Sequence, residues 1–312
     1  MSVTTRIQEL NNRLATNLVS KGVSAEGTET TTELINKVND IESGGTSVIN
    51  PEWTDWRYFS YYDNRNDLVA KLKYSDTANG TDFGSMFSSC NKLTSIPPFD
   101  TSKGTSFLGM FSYCALLTSI PQLDTSKGTN FGNMFYGCKA LTSIPQLDTS
   151  NGTSFVYMFY NCYVLTSVPL LDTSKSTNFN NMFYGCKALT SIPQLDTSKG
   201  TNFINMFYNC SALTSVPLLN MSSMSSASWG SMFNGCTALE NVTFEGTIPV
   251  RGNMSVFSSC SKLTVDSLMS FINALTNMSS SATYTITIGS TNLAKLTEEQ
   301  IQIATDKRIT LQ

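Results

Sequence analysis

The chain has 312 residues, a net charge of −3 and only 14% charged residues, and it contains no histidine. So weak a charge argues against a nucleic-acid binder, which shows a basic stripe. The missing imidazole excludes histidine-based acid–base catalysis, Ser–His triads and His-ligated metal sites.

In chain order, Val3, Ile7, Leu10, Leu14 and Leu18 fall on one stripe, the seam of a helix of about four turns. Leu34, Ile35, Val38 and Ile41 form a second. Stripes this short need something to pack on. Either the two helices close on each other, or residues 3–41 self-associate as a short coiled coil, for example a homotrimer. Ser43-Gly44-Gly45-Thr46-Ser47 is a flexible linker. Residues 1–47 are therefore expected to be a helical attachment or oligomerisation module with its linker. The start lacks an apolar h-region and no apolar run approaches ~20 residues, so neither a signal peptide nor a membrane span is expected. If Met1 is the natural start, the protein is made in the cytoplasm and leaves by another route.

Residues 48–82 open with a dense cluster, Trp53, Trp56, Tyr58, Phe59, Tyr61 and Tyr62. Residues 59–82 align with the later repeat, with Asn66 at the cysteine position and Lys73 at the proline position. This is a degenerate first rung under an aromatic N-terminal cap, as an end rung facing water requires.

Residues 83–263 are the repeat solenoid, regular from Phe83 and degenerate again in the rung ending at Cys260: F-x-x-M-F-x-x-C-x-x-L-T-S-[IV]-P-x-[FL]-[DN]-T-S-x-x-T-x. Met134–Phe155 and Met182–Phe203 differ only at Asn151/Lys199 and Ser154/Asn202. Cysteines fall at 90, 114, 138, 162, 186, 210, 236 and 260, at intervals of 24 except for 26 between Cys210 and Cys236. The longer step lies within 221–229, where Trp229 replaces the first phenylalanine. One such phrase cannot bury its own apolar set, so the rungs must stack into a solenoid. Adjacent rungs at sheet spacing advance ~4.8 Å. The strand is expected over Ser-Ile-Pro-x-Leu, with a turn or bulge at the proline.

The period breaks at 264–312, which reads as a C-terminal α/β cap. Asp266 or Ser267 can cap a helix carrying Leu268, Phe271, Ile272 and Leu275. Tyr284–Ile288 alternates like a strand. Thr297-x-x-Gln300 is a capping box opening a helix through Ile301 and Ile303. Arg308–Leu311 reads as a last strand.

Three ladders are candidates for chemistry. The cysteines lack the paired spacing of a zinc site. They are buried small hydrophobes, or else they pair across rungs as disulfides. The position after Met-Phe carries Tyr136, Tyr160, Tyr184 and Tyr208, with Tyr113, Tyr157 and Tyr163 nearby. Following a core phenylalanine, these rings should point outward. Tyrosine among Asn, Ser and Gly suits adaptable recognition, with a flat face for a sugar ring and a hydroxyl for a hydrogen bond. The alternative is stacking that only stabilises the flank. Asp100, Asp124, Asp148, Asp172 and Asp196 each precede Thr-Ser, the pattern of a side-chain-to-backbone turn. Lys103, Lys127, Lys175 and Lys199 can offset their repulsion. A calcium site or a glycosidase carboxylate pair is the alternative there, but a uniform ladder has no distinct acid and base. No catalytic residue, metal ligand or cofactor is assigned.

The phrase M-F-x-x-C-x-x-L-x-x-[IV] with D-T-S resembles the BspA-like leucine-rich repeats of bacterial surface proteins, with Met where their A-F-x-x-C-x-x-L core has Ala. The resemblance covers about residues 59–263. It implies a curved leucine-rich-repeat-like solenoid with one short strand per 24-residue rung, and binding or adhesion without catalysis. The run LATNLVSKGVSAEGTETTTELINKV resembles attachment regions of tail-fibre-like proteins in phages of Gram-positive hosts. The ending STNLAKLTEEQIQIATDKRITL is similar to caps that follow these repeats in such proteins. Together these imply a receptor-binding protein on a virion tail, made in the host cytoplasm. Its partners would be a bacterial surface glycan or protein and other tail proteins. A bacterial adhesin at the cell surface and a purely structural virion part are the alternatives; a polysaccharide-degrading enzyme ranks below them.

Overall fold

The computed structural model describes residues 77–226, 228–278 and 283–312. The helical module, the tryptophan cluster and most of the degenerate first rung lie outside the described residues.

The rungs around the eight cysteines stack into a solenoid. Each begins with a tight spiral over F-x-x-M-F-x-x-C. In the first described rung, Met86, Ser88 and Cys90 donate their N–H groups to the carbonyls of Phe83, Ser85 and Phe87 in their own rung. Phe83, Ser85, Phe87 and Ser89 donate to the carbonyls of Ser106, Leu108, Met110 and Ser112 in the next. Alternate amides thus close turns and bridge rungs. The geometry needs two left-handed residues per rung. One precedes the methionine: Ser85, Gly109, Asn133, Tyr157, Asn181, Asn205 and Ser231. The other precedes the cysteine: Ser89, Tyr113, Gly137, Asn161, Gly185, Asn209 and Gly235. Glycine, and next asparagine, accept that conformation most readily.

The core is a set of ladders. The second phenylalanine of each rung stacks from Phe87 to Phe257 with ring centroids 5.4–5.7 Å apart. The methionines, cysteines and leucines beside it are buried. All eight cysteines are free thiols, so the cross-rung disulfide is absent. From Cys114 onward each Sγ donates to a phenylalanine carbonyl one rung back, as Cys162 does to Phe135 at 3.1 Å.

The expected strand in every rung is corrected. Over Ser-[IV]-Pro a ladder forms only late, where β1 (Ser215–Asn220) pairs in parallel with β2 (Asn241–Glu245). Its register slips between Val216 and Leu219, around Pro217, where the missing N–H was expected to force a bulge. Earlier rungs are joined by the spiral, by single bridges such as Asp82–Ser106–Asn130–Ser154, and by threonine hydroxyls. The longer step is absorbed between Ser223 and Ser228. Ser223 still contacts Ser198 of the previous rung, whereas Phe203 now donates to Ser228. Trp229 fills the phenylalanine site, buried, with Nε1 donating to the Pro249 carbonyl at 2.8 Å.

Beyond Cys260, α1 (Val265–Ala274) packs on β2. Its N-cap is Thr264, which accepts from the Ser267 amide, and not Asp266 or Ser267. Thr264 is still extended, and its hydroxyl reaches the first free amides. β3 (Met254–Ser255), β4 (Tyr284–Thr287) and β5 (Ile309–Leu311) form a parallel sheet in that order. The short α2 (Ser290–Leu293) and α3 (Glu298–Asp306) connect β4 to β5. At α3 the Thr297/Gln300 capping box forms as the sequence indicates. Lys307 Nζ donates to the carbonyls of Ile272, Asn273 and Leu275, so the last turn of α1 ends on the lysine that closes α3.

Candidate functional site: a tyrosine ridge on the solenoid flank

The spiral brings the tyrosines together. Tyr136, Tyr160, Tyr184 and Tyr208 stack in sequence, with ring centroids 4.5, 4.5 and 4.8 Å apart and near-parallel planes. Their spacing is tighter than in the phenylalanine core. All four are half-buried, so the expectation of outward rings is sharpened. Their faces are covered by one another, and the exposed parts are edges and hydroxyls. An interior ring offers no free face to a sugar.

Two further tyrosines widen the row. Tyr113 lies 5.0 Å from Tyr136, tilted by 56°. Tyr157 lies 6.0 Å from Tyr136 and 5.5 Å from Tyr160. Both occupy left-handed positions, at φ 60° and 58°, where the other rungs use Gly, Asn or Ser. A bulky residue there is strained by about 1–2 kcal/mol. Burial, followed by the hydroxyl of Tyr113, raises the Tyr136 phenol above its ordinary value. Burial, followed by Tyr184, raises that of Tyr160. Tyr136 and Tyr160 therefore stay neutral phenols at physiological pH.

Tyr163 is not part of the stack. It sits on the other side of the Cys162 turn, with Lys187 Nζ 4.9 Å and Lys139 Nζ 6.0 Å from its ring centroid. Those two lysines, one rung to either side, were missed in the sequence reading. The signal was present, because Lys139, Tyr163 and Lys187 all directly follow a cysteine.

The aspartate ladder makes side-chain-to-backbone turns. Asp100, Asp124, Asp148, Asp172 and Asp196 each accept from the serine amide two residues on, at 2.9–3.1 Å. For Asp124, Asp148 and Asp196 the serine hydroxyl is the main influence holding the carboxylate below its ordinary value; for Asp172 it is the Ser174 amide. The threonine of each D-T-S is buried and donates to the next rung's carbonyl, as Thr125 does to Asp148 at 2.8 Å. Lys127, Lys175 and Lys199 favour the ionised forms of Asp124, Asp172 and Asp196, the offset expected of them. Lys103 and Lys175 donate to Asn79 and Asn151, each one rung back, and not to carboxylates. Among the described residues no group of three or more His, Cys, Asp or Glu side chains could hold a metal ion.

Comparison with known families agrees with this repeat geometry. A family model described as "BspA type Leucine rich repeat region (6 copies)" matches residues 133–264 and 180–302, together more than half of the chain. The chain belongs to the BspA-type leucine-rich-repeat family. A second model, "Mycoplasma protein of unknown function, DUF285", matches residues 57–169 and so takes in the degenerate first rung. No curated protein matches the chain. In this BspA-type chain the ridge is carried by the rungs around Cys114 to Cys210, inside the span that the two models jointly cover. No described helix is long and apolar enough to cross a membrane.

Proposed function

We propose that this BspA-type protein is a non-enzymatic recognition protein that binds a bacterial surface glycan or protein along the tyrosine ridge. The observation that carries the reading is the strain at Tyr113 and Tyr157. The fold needs a left-handed residue at each site, and Gly, Asn or the small Ser supplies it in the other rungs. Bulky residues kept in strained backbone are a mark of functional sites, and both rings here widen one aromatic surface. Stacking alone accounts for the inner four tyrosines but not for these two. The carboxylates support a non-enzymatic reading, because each is engaged in its own turn and none is set apart as acid or base.

The two end segments bear on the place of action. The similarity of residues 14–38 and 290–311 to segments of tail-fibre-like proteins supports a receptor-binding role on a virion tail, with residues 3–41 as the attachment or trimerisation element. The family match by itself favours a second reading, an adhesin at the bacterial surface. Immunogold labelling of virions and of cells separates the two.

The binding test uses Tyr113→Asn/Tyr157→Asn. Removing the strain should raise thermal stability, while binding of the labelled protein to target cells falls by ~10-fold or more. Wild-type binding by this more stable variant would overturn the ridge as the recognition surface. Enzymatic stripping of the cell-surface glycan then tells a sugar from a protein receptor.

A further inference from the structure

We propose that the ligand is a linear anionic glycan, read by Lys139 and Lys187 on either side of Tyr163. This rests on the recognition reading above and adds the charge class of the ligand. The chain is net negative, but its carboxylates are confined to one place in the regular rungs, with lysines beside them. Between residues 83 and 239 the only carboxylates are Asp100, Asp124, Asp148, Asp172 and Asp196, and each lies ten residues after a cysteine. The edge just past the cysteine carries cations alone: Lys92, Lys139 and Lys187. Lys139 and Lys187 are exposed, and each faces the Tyr163 ring, with no carboxylate partner among the described residues. A tyrosine face orients an ammonium without neutralising it, so both charges stay available.

The edge adjoins the ridge. Tyr160 and Tyr163 are three residues apart, at most ~10 Å of chain. Lys139 and Lys187 stand two rungs apart, ~10 Å at the spacing of adjacent strands. A stiff polymer lying along the axis would set its sugar rings and hydroxyls against the phenol edges of Tyr136, Tyr160 and Tyr184. It would place an oxyanion, carboxylate or phosphate, at each ammonium. The exposed side chains of Leu116 and Val164 border the same edge, and they suit the apolar faces of a sugar better than they suit bulk water.

The test measures binding of the full chain to three immobilised probes: a polyuronate, a sugar-phosphate polymer and a neutral glucan. Each is run from 20 to 300 mM salt, with duplex DNA as a further polyanion. The expected result is salt-sensitive binding to one or both anionic glycans, with little to the glucan or DNA. Which anionic probe binds identifies the oxyanion. Lys139→Gln/Lys187→Gln should weaken that binding by about tenfold at low salt and flatten its salt dependence, with the melting temperature held. The inference is overturned by equal affinity for the glucan, by binding to neither anionic glycan, or by DNA binding as tight as glycan binding. A lysine variant that loses stability but not affinity also overturns it, since the lysines would then only brace Tyr163. If Tyr113→Asn/Tyr157→Asn abolishes cell binding while Lys139→Gln/Lys187→Gln does not, the charge assignment fails and the ridge stands. If neither pair matters, both fail.

Discussion

The Cys162 thiol donates to the carbonyl of Phe135, 27 residues earlier, at 3.1 Å, and that same carbonyl accepts the amide of Cys138 in its own rung. Two donors share the lone pairs of one buried oxygen, and the pattern repeats along the solenoid. This explains why cysteine, rather than another small apolar residue, recurs at every rung. An alanine would lack the sulfur, leaving a small void and the carbonyl half-satisfied. Cys162→Ala is therefore expected to cost about 1–3 kcal/mol, read from the midpoint of denaturant unfolding. All eight thiols should resist a thiol reagent in the folded protein and all eight should react once it is unfolded.

The same burial gives a pH dependence. Desolvation raises the thiols from Cys114 to Cys236 well above their ordinary value, and Cys260 to about 12. In the unfolded chain a thiol ionises near ~8.5. Between these values the unfolded state holds fewer protons, so unfolding becomes easier as pH rises. The slope is about 1.4 kcal/mol per pH unit for each thiol. Tyr136 and Tyr160 act in the same direction at higher pH. The melting temperature should be level between about pH 6 and 8 and fall steeply from about pH 9. A melting curve unchanged at pH 10.5 would contradict the buried ladder.

The aspartate turns predict a tolerance. Asn220 stands at the aspartate position and accepts from the Ser222 amide at 3.0 Å, as the carboxylates do in their own rungs. Asp148 also feels Asp124 and Asp172 on either side, which oppose its ionisation. Asp148→Asn keeps the turn and removes that repulsion, so its unfolding midpoint should stay near wild type. Asp148→Ala loses the turn and should be less stable by ~1 kcal/mol.

Gly200 predicts an intolerance. A Cβ there would lie 2.2 Å from the Phe203 ring and 2.9 Å from the Thr197 carbonyl. At the equivalent site in the preceding rung stands Ser176, buried, its hydroxyl donating to the Asn178 carbonyl. Gly200→Ala should cost ~1–3 kcal/mol by overpacking. Gly200→Ser should cost less, because the same hydroxyl bond is open to it. Calorimetric melting of the two variants ranks them.

Lys307 holds the C-terminal end. It is partly buried, and burial lowers its ammonium from the ordinary value, yet it caps three carbonyls of α1. Lys307→Met keeps the stem and strands the carbonyls, at an expected cost of about 1–3 kcal/mol. In a stack where each rung leans on its neighbours, the loss should appear as faster amide exchange in α1 and β2 before it reaches the rungs around Cys138 and Cys162.

The stacked solenoid, the buried cysteines, the capping box at Thr297 and the bulge at Pro217 were legible in the sequence, because each rests on a local pattern repeated or flanked by its signal. The strand in every rung was not. The phrase Ser-Ile-Pro-x-Leu looks extended, but the amides of Phe83, Ser85, Phe87 and Ser89 carry the bonds between rungs, and only their φ values reveal it. Gly137, Asn161, Gly185 and Asn209 before the cysteines were the available sign. At the ridge, Tyr136, Tyr160, Tyr184 and Tyr208 could be aligned from the period alone. The covering of their faces depends on side-chain directions that spacing does not fix, whereas Lys139, Tyr163 and Lys187 share the position after a cysteine and align in the same way.

The spiral that bonds one rung to the next has a consequence for how such a surface can change over generations. Its bonds join equivalent backbone atoms one period apart, so a duplication or loss of 24 residues joins matching ends. Met134–Phe155 and Met182–Phe203 are near-identical 48 residues apart, as copying of a two-rung block leaves them. Gene-level copying can thus lengthen or shorten the row of phenols while leaving each phenol's surroundings as they were. Grip on a polymer becomes a matter of how many sugars are held at once, adjustable in whole steps without inventing a new contact.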